Sequence, residues 1–255
     1  MSATRLTISQ IRYVNKAFWR NPASAFFTFA FPLMFLVIFT SLLGHGEVHV
    51  AGRVVHQSTY YVAAMAAFAV ITACYNNIAI GITFQRDSGI LKRTNGTPLP
   101  AAIYFTARVV HALLVAVLLV AITVAFGSLV YNADVPTGAA LLRFLAILLV
   151  GSASFSALGF AITAAIPNAE ASAAIVNASI LPLLFLSGIF IPLGDNSPAW
   201  ILWIARIFPV RHFASGMQAG FLGTSFNWTD VLVVAAWGLG GLVIAIRFFR
   251  WEPRT

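Results

Sequence analysis

The sequence predicts an all-α integral membrane protein with six transmembrane helices, and three observations lead to this prediction. Of the 255 residues, 60% are hydrophobic and only 9% are charged, whereas soluble domains carry roughly a quarter charged residues. The hydrophobic residues form long segments, and a helix needs about 20 of them to cross a bilayer core. The basic residues concentrate at the ends of these segments. The net charge of +8 therefore indicates contact with anionic lipid headgroups rather than nucleic acid.

The first predicted element is an amphipathic helix over residues 5–20. Apolar residues share one face at helical spacing, and Arg12, Lys16 and Arg20 share another. The pattern favours an N-terminal interfacial helix with its basic side toward the headgroups. A cytosolic helix packed on a soluble partner would show the same pattern.

The spans follow as hydrophobic segments separated by polar turns. In the fourth span, Gly151, Ser154 and Gly159 are among the small residues that suit close helix contact. Pro182 is expected to break the fifth span. The six spans are predicted over residues 23–43, 59–83, 101–131, 137–166, 171–192 and 229–249.

Two connecting segments are long. Residues 44–58 are predicted to form a polar loop that contains His45, His49 and His56. Because no second cluster of ligating residues accompanies these histidines, we expect a solvated loop and no metal site. Residues 193–227 are polar at first and then amphipathic, and we expect short interfacial or re-entrant outer helices there, since neither half is long enough to span.

The distribution of basic residues predicts the orientation of the spans. Cytoplasmic loops carry the excess of lysine and arginine in membrane proteins. The six-span topology puts eleven basic residues on the side of the N-terminus and four on the other, so both termini are predicted to be cytoplasmic. The eleven are Arg5, Arg12, Lys16, Arg20, Arg86, Lys92, Arg93, Arg108, Arg247, Arg250 and Arg254, and the four are Arg53, Arg143, Arg206 and Arg211.

The motifs of common enzymes are missing from the sequence. The two lysines, Lys16 and Lys92, do not follow a glycine-rich loop, so there is no Walker A motif to bind a nucleotide phosphate. No zinc-protease or nucleophile-elbow spacing occurs either. No carboxylate lies deep in a span, which disfavours a proton- or sodium-coupled carrier.

Amides are the notable polar groups within the spans. Asn76 and Asn77 in the second span and Asn177 in the fifth lie at a similar depth, roughly 12 Å from the cytoplasmic side at helical rise. They predict either a polar ring in a substrate cavity or interhelical hydrogen bonds that hold the bundle together. Aromatic residues could line an apolar path, or could simply face lipid. The candidate path residues are Phe31, Phe35, Asn76, Asn77, Asn177 and Phe185.

Several segments, taken in order, resemble the ABC-2 family of ABC transporter permeases. After the amphipathic N-terminal helix comes a polar, basic segment at residues 85–100, and QRDSGILKRTNGTPLPAAIYFTARVV resembles the family's pattern in this region. The segments LPLLFLSGIFIPLGDNSPAWILWIARIFP and VRHFASGMQAGF are similar to the end of the family's fifth span and the part that follows. The resemblance runs almost end to end. Gln85 is a departure, because many relatives carry an acidic residue there.

The resemblance implies a single transmembrane domain over residues 1–255 that pairs with a second permease copy, by default an identical one. Residues 5–20 would form a connecting helix and residues 88–97 would hold a cytoplasmic coupling helix. Both would rest on a separate ATPase subunit, present in two copies. That subunit would bind ATP and magnesium, and this chain would bind no cofactor and would not be an enzyme by itself.

The resemblance also implies two sets of working residues. Basic side chains of the coupling region would pair with acidic groups of the ATPase, and Leu91 would enter an apolar cleft. The coupling set is Arg86, Asp87, Gly89, Leu91, Lys92, Arg93, Thr97 and Pro98. Residues 193–222 would close the exit, with an outer gate at Ser187, Gly188, Pro192, Trp200 and Trp203.

These expectations describe the membrane subunit of an ATP-driven exporter in the plasma membrane. Its expected cargo is a hydrophobic or amphipathic, drug-like compound, as in multidrug efflux. A lipid or lipid-linked glycan exporter of the same fold is the first alternative. An ion-coupled secondary transporter, and a membrane-embedded enzyme or scaffold, are alternatives of other classes.

Overall fold

The computed structural model describes residues 2–43, 46–50, 53–193 and 198–253. For residues 48–50 and 53 it describes the main chain only. Within these ranges the regular secondary structure is helical apart from one short β-hairpin. In chain order the helices are α1 (Ala3–Trp19), α2 (Pro22–Leu43), α3 (Gln57–Ile71), α4 (Asn77–Asp87), α5 (Ile90–Asn95), α6 (Ala101–Tyr131), α7 (Gly138–Ile162), α8 (Ala169–Leu186), α9 (Ala199–Ile207), α10 (Pro209–Leu222) and α11 (Trp228–Phe248).

Six helices in the described part of the chain are long and apolar enough to cross a membrane, which confirms the predicted number of spans. Helices α3 and α4 together form one of the six, continuous from Gln57 to Asp87. The other five are α2, α6, α7, α8 and α11. The short helices α5, α9 and α10 lie between spans, and α1 precedes the first.

The second span forms the centre of the bundle. In its most apolar stretch 78% of the residues are buried, against 22% in each of α2, α8 and α11. Helices α2, α6, α7 and α10 pack around α3, and α4 packs on α7 and α8. A helix that is apolar on all sides is expected to be enclosed by others, and α3 follows that rule.

A π-helical turn, Thr72–Asn76, joins α3 to α4 and was not predicted. The small residues of α7 explain how it is accommodated. A Cβ atom at Gly159 would lie 2.9 Å from the carbonyl oxygen of Tyr75 and 3.1 Å from that of Cys74, so α7 approaches the backbone of the turn directly. The prediction that α7 makes close helix contacts is confirmed there. Such turns place an extra residue in the helix and are frequent at functional sites.

Three predicted helix ends were wrong. The second span runs to Asp87 rather than ending at residue 83. The fourth span ends at Ile162 rather than at residue 166, because Pro167 cannot continue a helix and a turn precedes it. The fifth span runs through Pro182 and ends at Leu186, four residues beyond it. Gly188 ends that helix by adopting φ +84°, which is left-handed backbone that glycine tolerates.

The expected loop at residues 44–58 instead contains a β-hairpin and the first residues of α3. Strand β1 (Glu47–Val50) pairs antiparallel with strand β2 (Arg53–His56), with Glu47 opposite His56. Valine favours strands, and it supplies two residues to each of these strands. His45, one of the three histidines of this segment, lies outside the described residues.

Candidate functional site

The predicted coupling region divides into parts with different environments. Gln85, Arg86 and Asp87 belong to the last turn of α4 and not to a loop. Ser88 and Gly89 then turn the chain, and Gly89 caps α5 with φ +71°, in the left-handed region. Within residues 88–97, where the coupling helix is predicted, the structure has the short helix α5.

Arg86 is buried, with 2% of its side chain exposed, and it binds within the protein. Its Nη1 donates to the carbonyl oxygen of Thr163 at 3.0 Å, and its Nη2 donates to those of Ile166 at 2.8 Å and Pro167 at 3.1 Å. A helix leaves its last carbonyls without partners, and the guanidinium binds this end of α7 and the turn that follows. In the chain alone Arg86 thus binds internally, and its contact with an acidic group of a partner stays a prediction.

Asp87 completes the attachment of α4. Its Oδ2 accepts a hydrogen bond from the main-chain N–H of Ala169, the first residue of α8, and its Oδ1 lies 3.4 Å from Nε of Arg86. A carboxylate at this position satisfies a free N–H and interacts favourably with the helix dipole. The end of α4 is thus fastened to the turn between α7 and α8.

The side chains of α5 divide between the core and the surface. Leu91 is fully buried against the bundle in the chain alone, and its entry into a cleft of the partner stays a prediction. Lys92 and Arg93 are exposed, and so are Thr97 and Pro98 in the segment after the helix. Lys92 forms an exposed ion pair with Glu252, N to O 3.3 Å, which brings the end of the chain beside α5.

A cavity of about 730 Å³ opens between α1, α2, α4, α6 and α8. Its volume lies in the range of sites for drug-sized ligands. The structure brings Phe31, Asn76, Asn77 and Asn177 together in its lining, as a substrate cavity requires. The same wall contains one interhelical hydrogen bond, from Nδ2 of Asn77 to Oγ1 of Thr28 at 3.4 Å.

Phe35 and Phe185, the other two predicted path residues, are absent from this lining and belong to an aromatic cluster around Phe190. The ring centroid of Phe190 lies 5.5 Å from Phe35 and 4.9 Å from Phe185. Phe31 lines the cavity and also contacts Phe35 at 5.1 Å. Aromatic side chains therefore continue from the cavity to Phe190, two residues beyond Gly188.

The predicted outer-gate residues have different degrees of exposure. Ser187 is buried, and the carbonyl oxygen of Gly188 accepts a hydrogen bond from the hydroxyl of Tyr60 in α3. Trp200 and Trp203 are exposed on α9. Pro192 is half-buried in the segment before α9, part of which lies outside the described residues.

Helix α10 packs inside the bundle against α3, α7 and α11. His212 attaches α10 to α11, because its Nδ1 lies 2.6 Å from Oδ1 of Asp230 at the start of α11. Trp237 of α11 adds another attachment by donating from Nε1 to the carbonyl oxygen of Ile207 at 2.9 Å. These contacts attach α9 and α10 to α11, and both helices also pack against α8.

The sequence predicted Arg108 and His111 to lie beside residues 85–100 but did not assign them to the site, and they belong to a polar group at one end of the cavity. Nη2 of Arg108 donates to Oε1 of Gln85, and Tyr104 donates to the same oxygen at 3.4 Å. His111 lies one turn further along α6, and both Arg108 and His111 line the cavity. A signal was present in their spacing, because residues i and i+3 share one face of a helix.

The fold and the site define a helical membrane protein in which a short surface helix is fastened, through α4, to the helices around an intramembrane cavity. The chain belongs to the ABC-2 type transporter family, whose model matches residues 6–222. It is 25% identical over 237 residues to a Porphyra purpurea protein named "Putative transport permease ycf38", covering 90% of this chain and 79% of that one. It is 24% identical over 218 residues to "Putative transport permease YvfS" of Bacillus subtilis, covering 86% of each. The membrane subunit of an ABC transporter is the class that these findings support.

Proposed function

We propose that the chain is the permease subunit of an ATP-driven exporter that moves a hydrophobic or amphipathic compound out of the cytoplasm or the inner leaflet. One observation carries this proposal. The exposed helix α5 follows α4 after a two-residue turn. Arg86 fastens the last turn of α4 to the turn between α7 and α8, and Asp87 fastens it to the start of α8. Helices α4 and α8 both line the cavity. A force applied to α5 would therefore reach two walls of the cavity.

The energy would come from a separate ATPase subunit. A partner shifts a conformational equilibrium only if it contacts the two states differently, so it needs a defined surface on this chain. Lys92 and Arg93 give α5 two exposed positive charges, and Thr97 and Pro98 extend the exposed surface. This surface fits a partner with acidic groups. Helix α1, which packs along α6, would form the interfacial connecting helix beside it.

The cargo would enter the cavity among the amides and leave past the aromatic residues. The cavity lining is mainly apolar, with amides and a few other polar groups, as is usual in sites for amphipathic compounds. Phe31 connects it to the cluster around Phe190, and this cluster adjoins Gly188. Helices α9 and α10 would act as re-entrant outer helices that close the exit.

A second copy of the chain would complete the path. The exposed apolar residues of α2 and α8, including Phe27, Phe31 and Phe185, offer a surface for that copy beside the cavity. A closed two-fold dimer is the commonest arrangement of identical subunits. The excess of basic residues in the segments on the α5 side supports cytoplasmic termini in a plasma membrane.

The experiment is to purify the tagged full chain from its native membrane and to identify the proteins that accompany it. We expect an ATPase subunit with a Walker A motif, and ATP hydrolysis that the complex accelerates over the ATPase alone. The double variant Lys92→Glu, Arg93→Glu should lose this acceleration, while the matched control Arg143→Glu, at the start of α7, should keep it. Purification without any nucleotide-binding subunit would refute the proposal.

A further inference from the structure

Arg108 is a positive charge without a carboxylate partner at one end of the cavity. Within the described ranges, no acidic side chain lies at ion-pair distance from it, and neither the cavity nor the groove beside it includes an acidic residue in its lining. Its Nε is buried and makes no hydrogen bond to any described residue. A charge in such surroundings is costly unless a counter-charge approaches it.

His111 gives a second, independent sign of a missing ligand. Its side chain is more than nine-tenths buried, it lines the cavity, and its Nδ1 makes no hydrogen bond within the described part of the protein. Buried polar groups are normally paired, because an unpaired one costs about 1–3 kcal/mol. When the imidazole proton is on Nδ1, this nitrogen can donate a hydrogen bond to an anion, as the guanidinium of Arg108 does.

Apolar side chains adjoin Arg108 and His111 in the cavity lining. Ile78, Ile82 and Val115 line it between the Arg108 end and the amides of Asn76 and Asn77. From Gln85 to Thr72 the α3–α4 helix rises by roughly 20 Å, enough for an extended alkyl chain. The cavity is thus cationic at one end and mainly apolar along its length.

We propose that the cavity binds amphipathic anions, with a phosphate or carboxylate headgroup at Arg108 and His111 and an apolar tail along α4 and α6. This proposal rests on the proposed function, because it names the charge of the cargo that the same cavity would accept. Guanidinium groups bind phosphate and carboxylate through paired hydrogen bonds.

An entrance for the anion is present beside the same residues. A smaller groove of about 200 Å³ lies between α1, α4, α5 and α6, and it shares Val14, Gln85 and Arg108 with the cavity. Arg108 therefore faces both spaces, and the carboxamide of Gln85 fixes its position. A headgroup that reaches Arg108 from the groove can bring its tail into the cavity.

The first test uses the full chain alone in dodecyl maltoside, so it needs no ATPase. Thermal unfolding is followed with dodecyl phosphate, with dodecyltrimethylammonium, which has the same tail and the opposite charge, and with inorganic phosphate, which has no tail. A ligand that binds the folded state raises the unfolding temperature. We expect dodecyl phosphate alone to do so. Equal stabilisation by the cationic amphiphile would overturn the proposal.

The variant Gln85→Glu tests the charge with almost no change of shape. It supplies the carboxylate that Arg108 lacks, so we expect the affinity for dodecyl phosphate to fall by roughly tenfold or more, the scale of a charge-assisted hydrogen bond. Arg108→Gln should do the same, and Arg108→Lys should retain part of the affinity. Arg143→Gln, an exposed arginine of α7, is the matched control and should bind as the wild type does. Unchanged binding by Gln85→Glu would refute the anion site even if Arg108→Gln failed to fold.

The source of the headgroup is decided in nanodiscs. If phosphatidylglycerol discs compete with dodecyl phosphate and phosphatidylcholine discs do not, the anion is a lipid headgroup. If neither kind of disc competes, the site takes a soluble amphipathic anion. Both of these results support the proposed anion site. Loss of anion binding with the ATPase still recruited would refute this inference alone. Failure to recruit an ATPase, with anion binding intact, would refute the exporter proposal and leave the site.

Discussion

Arg86 donates from Nη2 to the main-chain carbonyl of Ile166 at 2.8 Å, although 80 residues separate the two in the chain. This bond joins the last turn of α4 to the turn between α7 and α8. Since α5 begins three residues after Asp87, the surface that we assign to the ATPase is only a few residues from this attachment. Arg86 therefore binds inside the protein, whereas Lys92 and Arg93 lie on the surface that we propose for the ATPase.

We expect Arg86→Ala to lower the free energy of unfolding by about 3 kcal/mol, because it leaves three carbonyl oxygens without their charged donor. Thermal unfolding in detergent measures the change. Arg93→Ala is the matched control, since Arg93 is exposed and donates only to carbonyls of its own turn, and it should change stability by no more than about 0.5 kcal/mol. Equal effects of the two variants would contradict the internal role of Arg86.

Asp87→Ala should destabilise the protein by about 1 kcal/mol, the usual cost of removing a helix cap. Asp87→Asn should cost less, because asparagine also caps helices well and loses only the charge near the dipole. The control is Glu252→Ala, which removes an exposed ion pair with Lys92 and should cost at most about 0.5 kcal/mol. If Asp87→Ala were as mild as Glu252→Ala, the capping bond would have no importance for stability.

The parts of the fold that could be predicted from the sequence depend on local signals. A span shows itself by length and hydrophobicity within about 20 residues, so all six were predicted and most of their ends were close. The ends that were wrong depend on single residues. Proline at 182 remains inside the helix at an exposed position, whereas Gly188 ends the helix with a backbone conformation that the sequence does not display.

The site depends on contacts between distant residues, and here the sequence was less informative. It suggested that Asn77 and Asn177 lie at one depth, and the structure brings both to one cavity. It assigned Arg86 to the surface, because a basic residue after a span ordinarily faces water, and its carbonyl partners are about 80 residues away. The pairing of Gln85 with Arg108 likewise needs the relative rotation of α4 and α6, which sequence spacing leaves undetermined.

Gly159→Ala tests the close contact between α7 and the π turn. The new methyl group would lie 2.9 Å from the carbonyl oxygen of Tyr75, and backbone cannot move aside as a side chain can. We expect a loss of about 1–3 kcal/mol in the free energy of unfolding. Gly240→Ala in α11 is the control, because its Cβ would meet no atom within 4 Å, and it should be neutral or up to about 1 kcal/mol more stable. A neutral result at Gly159 would mean that the π turn yields easily.

The amides of the cavity provide the last test, which separates a transport role from a role in holding the helices together. Asn77 donates to Oγ1 of Thr28, so Thr28→Val removes that bond while keeping the size of the side chain and the amide itself. If the bond holds α2 to α4, Thr28→Val and Asn77→Ala should both lower stability by about 0.6–1 kcal/mol.

If the amide contacts cargo, Asn77→Ala and Asn177→Ala should reduce ATP-dependent efflux by roughly fivefold, the equivalent of about 1 kcal/mol, with the folded complex intact. Efflux from vesicles and thermal unfolding are both measured on the wild type, Thr28→Val, Asn77→Ala and Asn177→Ala, so that the two roles are distinguished. We expect the transport effect at Asn177, which lines the cavity on an exposed face of α8. Wild-type efflux by Asn177→Ala would remove it from the path.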